Sequence, residues 1–137
     1  MGQYLIDSNV ISSFFTESFS EQTMNFISSI IDKTPNISVI TEIEALSWIA
    51  PNKVYETIIK EFIQNSNILY LTKNVVGECI KIRRNKKIKT PDAIIAATAI
   101  VNEMTLITND NDFKNINNLQ TINPFDYENF CINYTKK

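Results

Sequence analysis

The 137-residue sequence contains no histidine and only two glycines. Without histidine, the chain cannot use Ser-His-Asp or Cys-His catalysis, an imidazole zinc ligand or a histidine general base. Gly2 and Gly77 are too few and too far apart to form a glycine-rich loop that binds phosphate. The side chains that remain for chemistry are therefore mostly carboxylates.

Cysteines and long apolar runs are also scarce. Cys79 and Cys131 match no CxxC spacing, so we expect two reduced thiols. The N-terminal residues lack the basic region and apolar run of a signal peptide, and no apolar stretch approaches the roughly 18 residues of a membrane span. We therefore expect a cytoplasmic protein that does not enter a membrane. Because the net charge is only −2, attraction to nucleic acid would have to come from a local basic patch.

Short apolar runs alternate with longer stretches of helical spacing, which is typical of an α/β fold. The predicted strands are Gln3–Ile6, Asn36–Ile40, Asn67–Leu71, Thr105–Thr108 and Leu119–Ile122. The predicted helices are Ser8 to about Phe15, Glu21–Ile31, Glu42–Ile49, Lys53–Ile63, a helix capped by Thr72 that runs to about Lys87, and a helix that opens at Thr90-Pro91-Asp92 with Thr90 as its cap. This order predicts one domain with a mostly parallel sheet of four or five strands, covered by helices on both faces. Its core spans about residues 3–125, and residues 126–137 form a polar tail.

Acidic residues follow several of these strands. They are Asp7 after the first strand, Glu42 and Glu44 in the helix after the second, Asp92 at the start of its helix, and Asp110 and Asp112 after the fourth strand. Right-handed crossovers place the carboxyl ends of all strands at one edge of the sheet, where such sheets bind ligands. Carboxylates that converge there need a cation, and oxygen ligands without His or Cys favour Mg²⁺ or Mn²⁺. Because such ions activate water, the pattern indicates phosphodiester hydrolysis.

Most of these acids also have a purely structural interpretation. Glu44 follows Thr41 at the spacing of a capping box. Asp92 would stabilise the positive end of its helix with or without a metal. Asp110 and Asp112 lie in a polar turn, where Asp and Asn are common. The acid after the first strand is the hardest to explain in this way, and the joint placement of all of them favours the functional interpretation.

Four segments contain these acids in order: Leu-Ile-Asp7-Ser-Asn, Ile-Thr41-Glu-Ile-Glu44-Ala-Leu, Pro-Asp92-Ala-Ile-Ile-Ala-Ala-Thr-Ala and Leu-Ile-Thr108-Asn-Asp110-Asn-Asp112-Phe. From about residue 4 to residue 125, the chain resembles the PIN-domain family, and within it the VapC-type toxins of toxin–antitoxin pairs. The resemblance implies a three-layer α/β/α fold and a ribonuclease that depends on Mg²⁺ or Mn²⁺. It also implies a homodimer and a small antitoxin protein that covers the active site.

The resemblance assigns roles to individual acids. Asp7, Glu44 and Asp92 match the first three metal-binding acids of the family. Asp110 and Asp112 both fit positions near the fourth acid, and Asp110 is the preferred match. On this basis we expect Asp7 and Asp92 to bind the principal metal directly. Glu44 and Asp110 would complete the pocket through water molecules or by holding a second ion.

Neutral side chains near the acids receive supporting roles. Asn9 and Thr108 match polar positions that help to hold the site in the family, through water or hydrogen bonds. Trp48 follows Glu44 on the same predicted helix. We expect it to lie in the core or at a dimer interface rather than to stack on RNA.

Basic side chains cluster just before the third acid. They are Lys81, Arg83, Arg84, Lys86, Lys87 and Lys89, and we call the last five the basic segment. A run of like charges is often only a solvated surface. Because this run lies so close to the predicted site, it is also placed to bind RNA phosphates and to offset the acidic pocket.

The sequence therefore predicts an endoribonuclease that uses metal-activated water, with RNA and an antitoxin as partners. A domain that accepts a phosphoryl group would need an acid after the third strand, which ends Tyr70-Leu71-Thr72. An aspartyl phosphatase would need Asp-x-Asp after the first strand, where the chain reads Asp7-Ser-Asn9. The remaining alternative is a catalytically silent PIN fold that binds RNA or protein.

Overall fold

The structure, a computed structural model, describes residues 3–127. Five short strands form one sheet: β1 (Tyr4–Ile6), β2 (Asn36–Ser38), β3 (Asn67–Leu69), β4 (Thr105–Ile107) and β5 (Thr121–Ile122). They lie in the order β3-β2-β1-β4-β5, and every neighbouring pair is parallel. The predicted parallel sheet is thus confirmed, with β1 at its centre. From residue 128 onward, the predicted polar tail lies outside the described residues, and so does Cys131.

Six α-helices surround the sheet: α1 (Ser8–Phe15), α2 (Glu21–Ile31), α3 (Val39–Ser47), α4 (Lys53–Gln64), α5 (Lys73–Asn85) and α6 (Thr90–Val101). Two short 3₁₀ helices follow, η1 (Asn111–Phe113) and η2 (Pro124–Asp126). Within residues 3–127, none of the helices has the length and apolar character needed to cross a bilayer.

The two faces of the sheet bury two separate apolar clusters. Successive side chains on a strand point to opposite faces, so Leu5 and Leu106 face one cluster while Ile6 and Ile107 face the other. Residues of α5 and α6 complete the first cluster. Residues of α1, α2 and α4 complete the second, and α3 joins it through Ala45. The result is the predicted three-layer α/β/α arrangement.

The start of α3 differs from the sequence prediction. We expected a strand as far as Ile40 and a helix from Glu42, but the strand ends at Ser38 and the helix begins at Val39. The Ser38 hydroxyl accepts a hydrogen bond from the backbone N–H of Thr41 at 3.1 Å, which is the geometry of an N-cap. Two β-branched residues after the cap had the pattern of a strand, but the cap turns them into the first turn of the helix.

This earlier start removes the structural interpretation of Glu44. Thr41 lies inside the helix, so Thr41-x-x-Glu44 is not a capping box, and Glu44 falls in the second turn of α3. Similarly, Thr90 is the first residue of α6 and not its cap. The N-cap is Lys89, which makes no side-chain capping bond. The other element boundaries shift by one or two residues, which is ordinary at fraying ends.

The N-cap of α3 gives a stability test. Replacing the buried Ser38 with alanine removes the acceptor for the Thr41 N–H, so the free energy of unfolding should fall by about 0.5–2 kcal/mol. Urea unfolding measures the change. The matched control is Ser29→Ala, because Ser29 is an exposed serine within α2 and should cost less. Equal stability of Ser38→Ala and wild type would contradict the assignment of the cap.

Candidate metal centre

Asp7 links the end of β1 to the start of α1. Its backbone N–H donates to the carbonyl of Ile107 at 3.0 Å, and its side chain caps α1. Oδ1 accepts the Ser8 N–H at 2.8 Å and Oδ2 accepts the Thr108 hydroxyl at 2.7 Å. The side chain is only 4% exposed. Asp7 therefore has a capping role that the sequence did not suggest, and its carboxylate is fixed in one orientation.

Asp92, Asp110 and Asp112 form the tightest group of acids. One carboxylate oxygen from each lies within 4.8 Å of the other two. Asp92 lies in the first turn of α6 and is partly buried. The structure therefore brings Asp112 into the same group as Asp110, the preferred match for the fourth acid.

Local hydrogen bonds shape the loop with the last two acids. The backbone N–H of Asp110 donates to the Thr108 hydroxyl at 3.1 Å. Asp110 Oδ1 in turn accepts the N–H of Asp112 at 2.9 Å, which caps η1. Phe113 is buried directly after these acids and anchors the loop to the core. Thr108 thus contacts Asp7 with its hydrogen and Asp110 with its oxygen.

Glu44 reaches the same edge of the sheet from the second turn of α3. Its Oε1 accepts a hydrogen bond from the Ser8 hydroxyl at 3.1 Å. Ser8 therefore bonds to Glu44 with its side chain and to Asp7 with its backbone. We did not select Ser8 from the sequence. The available signal was its position between Asp7 and Asn9 in the first motif.

Asn9 is the least satisfied polar residue near the acids. Its Oδ1 is buried and accepts no hydrogen bond within residues 3–127. A buried acceptor without a partner costs free energy, so it is suited to a ligand or a water held between the protein and a ligand. Thr108, the other predicted supporting residue, is buried and fully engaged with the acids.

Two of these acids, Asp7 and Asp92, have a raised pKa. Burial is the main reason that the pKa of Asp7 rises from 3.8 to about 6, and the charges of Glu44 and Asp92 add to it. The hydrogen bonds to Asp7 oppose this rise. Burial also raises the pKa of Asp92, followed by the charges of Asp110, Asp112 and Glu44.

The opposing positive charge is small, because Lys89 lowers the pKa of Asp92 only in part. Carboxylates held this close are stabilised by a cation. A set made only of carboxylate, hydroxyl and amide oxygens fits a hard divalent ion. All four acids with predicted catalytic roles thus meet at one edge of the sheet, together with Asp112.

The basic segment lies beside this group of acids, and two of its five side chains are hydrogen-bonded to the protein. Arg83 Nε donates to the carbonyl of Ile88 at 3.2 Å, and Lys86 Nζ donates to the carbonyl of Lys114. These two cations therefore hold the linker between α5 and α6 in place. The exposed side chains of Arg84, Lys87 and Lys89 make no hydrogen bond or ion pair to the part of the chain described here.

A cleft of about 140 Å³ opens on the α3 side of the acids. Its lining is mostly apolar, but it includes Asn9, Ser12 and Glu44. Trp48 forms part of the wall and is 37% exposed. It therefore does not lie in the core, and the other predicted position, a dimer interface, stays a prediction. We call this cleft the Trp48 cleft.

The raised pKa of Asp7 predicts how pH changes the stability of the metal-free protein. A folded pKa above the unfolded value gives stability that is complete below pH 3.8 and is lost as pH rises through about 6. Asp7→Asn removes this dependence. In EDTA, the free energy of unfolding of the variant relative to wild type should therefore increase by about 3 kcal/mol between pH 3.5 and pH 7.5. Urea unfolding at several pH values measures it, and a constant difference would contradict the raised pKa.

The comparisons with known proteins agree with this geometry. The family model described as PIN domain matches residues 4–119. Among curated proteins, no sequence relative matches the chain. The fold is similar to that of a solved toxin–antitoxin complex from Klebsiella pneumoniae, with 25% identity, a TM-score of 0.71, and coverage of 89% of this chain and 98% of that chain.

Two further solved structures have the same fold. VapBC2 from Rickettsia felis, bound to a DNA fragment from its promoter, matches with 22% identity, a TM-score of 0.71 and coverage of 88% of this chain and 97% of that chain. FitAcB from Neisseria gonorrhoeae matches with 22% identity, a TM-score of 0.70 and coverage of 90% of this chain and 99% of that chain.

The family match spans most of the chain and includes all four acidic segments. The three-layer architecture and the all-parallel sheet agree with it. The chain belongs to the PIN domain family, a family of nucleases, and its fold is VapC-like, as its motifs predict.

Proposed function

We propose that this protein is an endoribonuclease that depends on Mg²⁺ or Mn²⁺ and acts in the cytoplasm as the toxin of a VapBC-type pair. The observation that supports it most is the group of Asp92, Asp110 and Asp112, with one oxygen from each within 4.8 Å of the others. The charge of Glu44 adds to the raised pKa of both Asp7 and Asp92, and the charge of Asp92 adds to that of Asp7, so these acids lie close to one another. No separate structural role accounts for all five acids.

In this proposal, Asp7 and Asp92 hold the principal cation, and Glu44 and Asp110 complete the pocket. Asp112 also has an oxygen within 4.8 Å of Asp92 and joins the set. When bound, the cation supplies an activated water and offsets the charge that develops on phosphorus.

The remaining polar residues orient the acids. The Thr108 hydroxyl and the Ser8 backbone N–H fix both oxygens of Asp7, so this carboxylate needs little rearrangement to bind a cation. The Ser8 hydroxyl holds one oxygen of Glu44 in the same way. The free Oδ1 of Asn9 is available to accept a hydrogen bond from a water in the site.

We further propose that the basic segment binds RNA phosphates. Arg84, Lys87 and Lys89 are exposed and make no side-chain hydrogen bond or ion pair within residues 3–127, so they are available for this role. Arg83 and Lys86 contribute mainly by holding the linker in place, although their positive charge adds to the local potential.

A cognate antitoxin and a second copy of the chain are the proposed protein partners. Exposed apolar side chains support both, because patches of this kind often mark interfaces. They are Ile43, Leu46, Trp48, Ile49 and Val54 along α3 and α4, and Tyr70, Leu71, Val76 and Ile80 after β3 and on α5. The structural neighbours, which include toxin–antitoxin complexes, support an antitoxin as the first of these partners.

The test of this function separates it from a silent binding module. The purified protein is incubated with a mixed RNA pool, first with Mn²⁺ or Mg²⁺ and then with EDTA. We expect cleavage that requires the divalent ion and stops on chelation. Binding of RNA without any cleavage would support the silent module instead.

Asp92→Asn distinguishes a metal ligand from an acid that only stabilises its helix. If Asp92 only stabilises the N-terminus of α6, the variant should lose about 0.3–1 kcal/mol of unfolding free energy and still cleave RNA. If Asp92 is a metal ligand, the variant should be at least as stable as wild type in EDTA, because one repelling charge has been removed from the group of acids. Its cleavage rate should fall by orders of magnitude.

Thermal unfolding provides an independent readout of the same variant. A cation at about 100 times its Kd stabilises the native state by about 2.7 kcal/mol, so wild type should melt higher with Mn²⁺ than with Na⁺ at equal ionic strength. Asp92→Asn should lose most of that rise, whereas Lys53→Gln should keep it. A variant that melts lower in EDTA but still cuts RNA would overturn the proposed role of Asp92.

The exposed basic residues are tested by Arg84→Gln combined with Lys87→Gln. Counterion release lowers log K with log salt by about 0.7 for each phosphate contacted on a single strand, so RNA affinity should fall and the salt slope should flatten. Lys33→Gln combined with Lys60→Gln is the charge-matched control. If both double variants keep the wild-type affinity and slope, the basic segment is only a solvated surface.

A further inference from the structure

A second cleft lies on the other face of the sheet from the Trp48 cleft, because Ile82 and Ile116 on its lining belong to the first apolar cluster. It has a volume of about 160 Å³ and lies between the last turns of α5 and the loop after η1. Its polar lining consists mainly of Lys81, Asn85, Lys86, Asn115, Asn117 and Asn118. We call it the amide cleft.

The asparagine side chains that the loop after η1 contributes to the amide cleft are not engaged in hydrogen bonds with residues 3–127. Asn115, Asn117 and Asn118 make no side-chain hydrogen bond to any residue between 3 and 127. Each amide offers donors and an acceptor, which is the complement of the edge of a nucleobase. Lys81 adds a positive charge, and Glu78 is the only carboxylate that residues 3–127 contribute to the lining.

Backbone conformation fixes two of these asparagines. Asn115 has a φ of 64° and Asn118 a φ of 70°, so both lie in the left-handed region. Glycine adopts this region at no steric cost, and asparagine more readily than most other residues. Glycine can therefore replace either residue and remove its amide without straining the loop.

The amide cleft is close to the acids along the chain. The backbone from Asp112 to Asn115 spans at most about 11 Å even when fully extended. Lys86, which lines the cleft, also bonds to the carbonyl of Lys114 between these two residues. A single RNA strand with a phosphate at the acids is therefore within reach of the cleft.

The two clefts differ in charge. Of the residues that the structure describes, Glu44 is the only charged one on the lining of the Trp48 cleft, and none of them is basic. The amide cleft has Lys81 and Lys86 on its lining, and Arg83, Arg84 and Lys87 lie beside it. Because RNA phosphates are drawn to positive potential, the strand should extend from the acids toward the amide cleft.

From these observations we infer that the amide cleft binds a nucleotide of single-stranded RNA next to the bond that is cut, and that its asparagines contact the edge of the base. Proteins read single-stranded RNA in this way, through hydrogen bonds to the edges of unstacked bases. The inference rests on the proposed ribonuclease function and adds to it a site that selects the substrate.

Glycine substitution tests the inference. Asn115→Gly and Asn118→Gly, combined with Asn117→Ala, remove the three amides. Glu103→Gly is the matched control, because Glu103 also has a positive φ of 55° but lies before β4, at the other end of that strand. Cleavage products from a random RNA pool give the base preference at each position around the cut. At one position beside the cut, the preference of the triple variant for one base over the others should fall roughly tenfold, because one contact to a base edge typically contributes discrimination of about this size.

Crosslinking provides a readout that does not depend on cleavage. A single-stranded oligoribonucleotide that contains 4-thiouridine is bound to the Asp92→Asn protein and irradiated. We expect crosslinked peptides from residues 114–118 or from the end of α5, and weaker crosslinks in the triple variant. Crosslinks confined to α3 and α4 would overturn the inference.

The outcomes separate this inference from the proposed function. If wild type cuts RNA and the triple variant keeps the same base preference and crosslinks, the amide cleft does not bind substrate and the ribonuclease function stands. If wild type cuts no RNA but crosslinks at the amide cleft, the cleft binds RNA and the ribonuclease proposal fails. A cleft that served a protein partner would leave both RNA readouts unchanged, which also overturns the inference.

Discussion

The hydrogen bond between the Thr108 hydroxyl and the Asp7 carboxylate holds the candidate site together. It joins the ends of the two central strands, β1 and β4, at 2.7 Å in a buried position. The same hydroxyl accepts the N–H of Asp110 and so positions the loop with the last two acids. Without it, Asp7 would lose one of its two side-chain partners, and the link that runs from Asp7 through Thr108 to Asp110 would be broken. We therefore regard Thr108 as the residue that fixes the distance between the two halves of the site.

The site is held at a cost in stability. Burial and like charges raise the pKa of Asp7 and Asp92, which means that their ionised forms are unfavourable in the metal-free protein. Two rigid supports offset this cost, since Asp7 caps α1 and Asp110 caps η1. Asp7 and Asp110 therefore each have two roles, since they cap a helix and also contribute a negative charge to the site. A prediction from sequence that treats the two roles as alternatives will misjudge them.

Much of this architecture could be predicted from the sequence because the relevant signals are local. Strand and helix order follows from the spacing of apolar residues, and the shared edge of a parallel sheet brings Asp7, Asp92 and Asp110 together without further information. The start of α3 could not be predicted, because Val39 and Ile40 favour a strand and only the bond between Ser38 and Thr41 decides otherwise.

Other features depend on contacts between distant residues, and so the sequence does not show them. Ser8 is identified as a site residue by its hydrogen bond to Glu44 on α3, which lies 36 residues further along the chain. The two clefts are formed by segments far apart in the chain, and the choice between Asp110 and Asp112 depends on a turn of η1. The spacing of residues along the sequence does not give the distances between segments that are far apart in the chain.

The central position of β1 has a consequence for synthesis of the protein. Asp7 and Thr108 are separated by 101 positions, yet they form the bond on which the site depends. Contacts this distant in sequence form late, because the loop between them must close first. During synthesis, β1 emerges before β4 and the last two acids have been made. The acids of a nuclease built in this way come together only after β4 has been made and the sheet has closed.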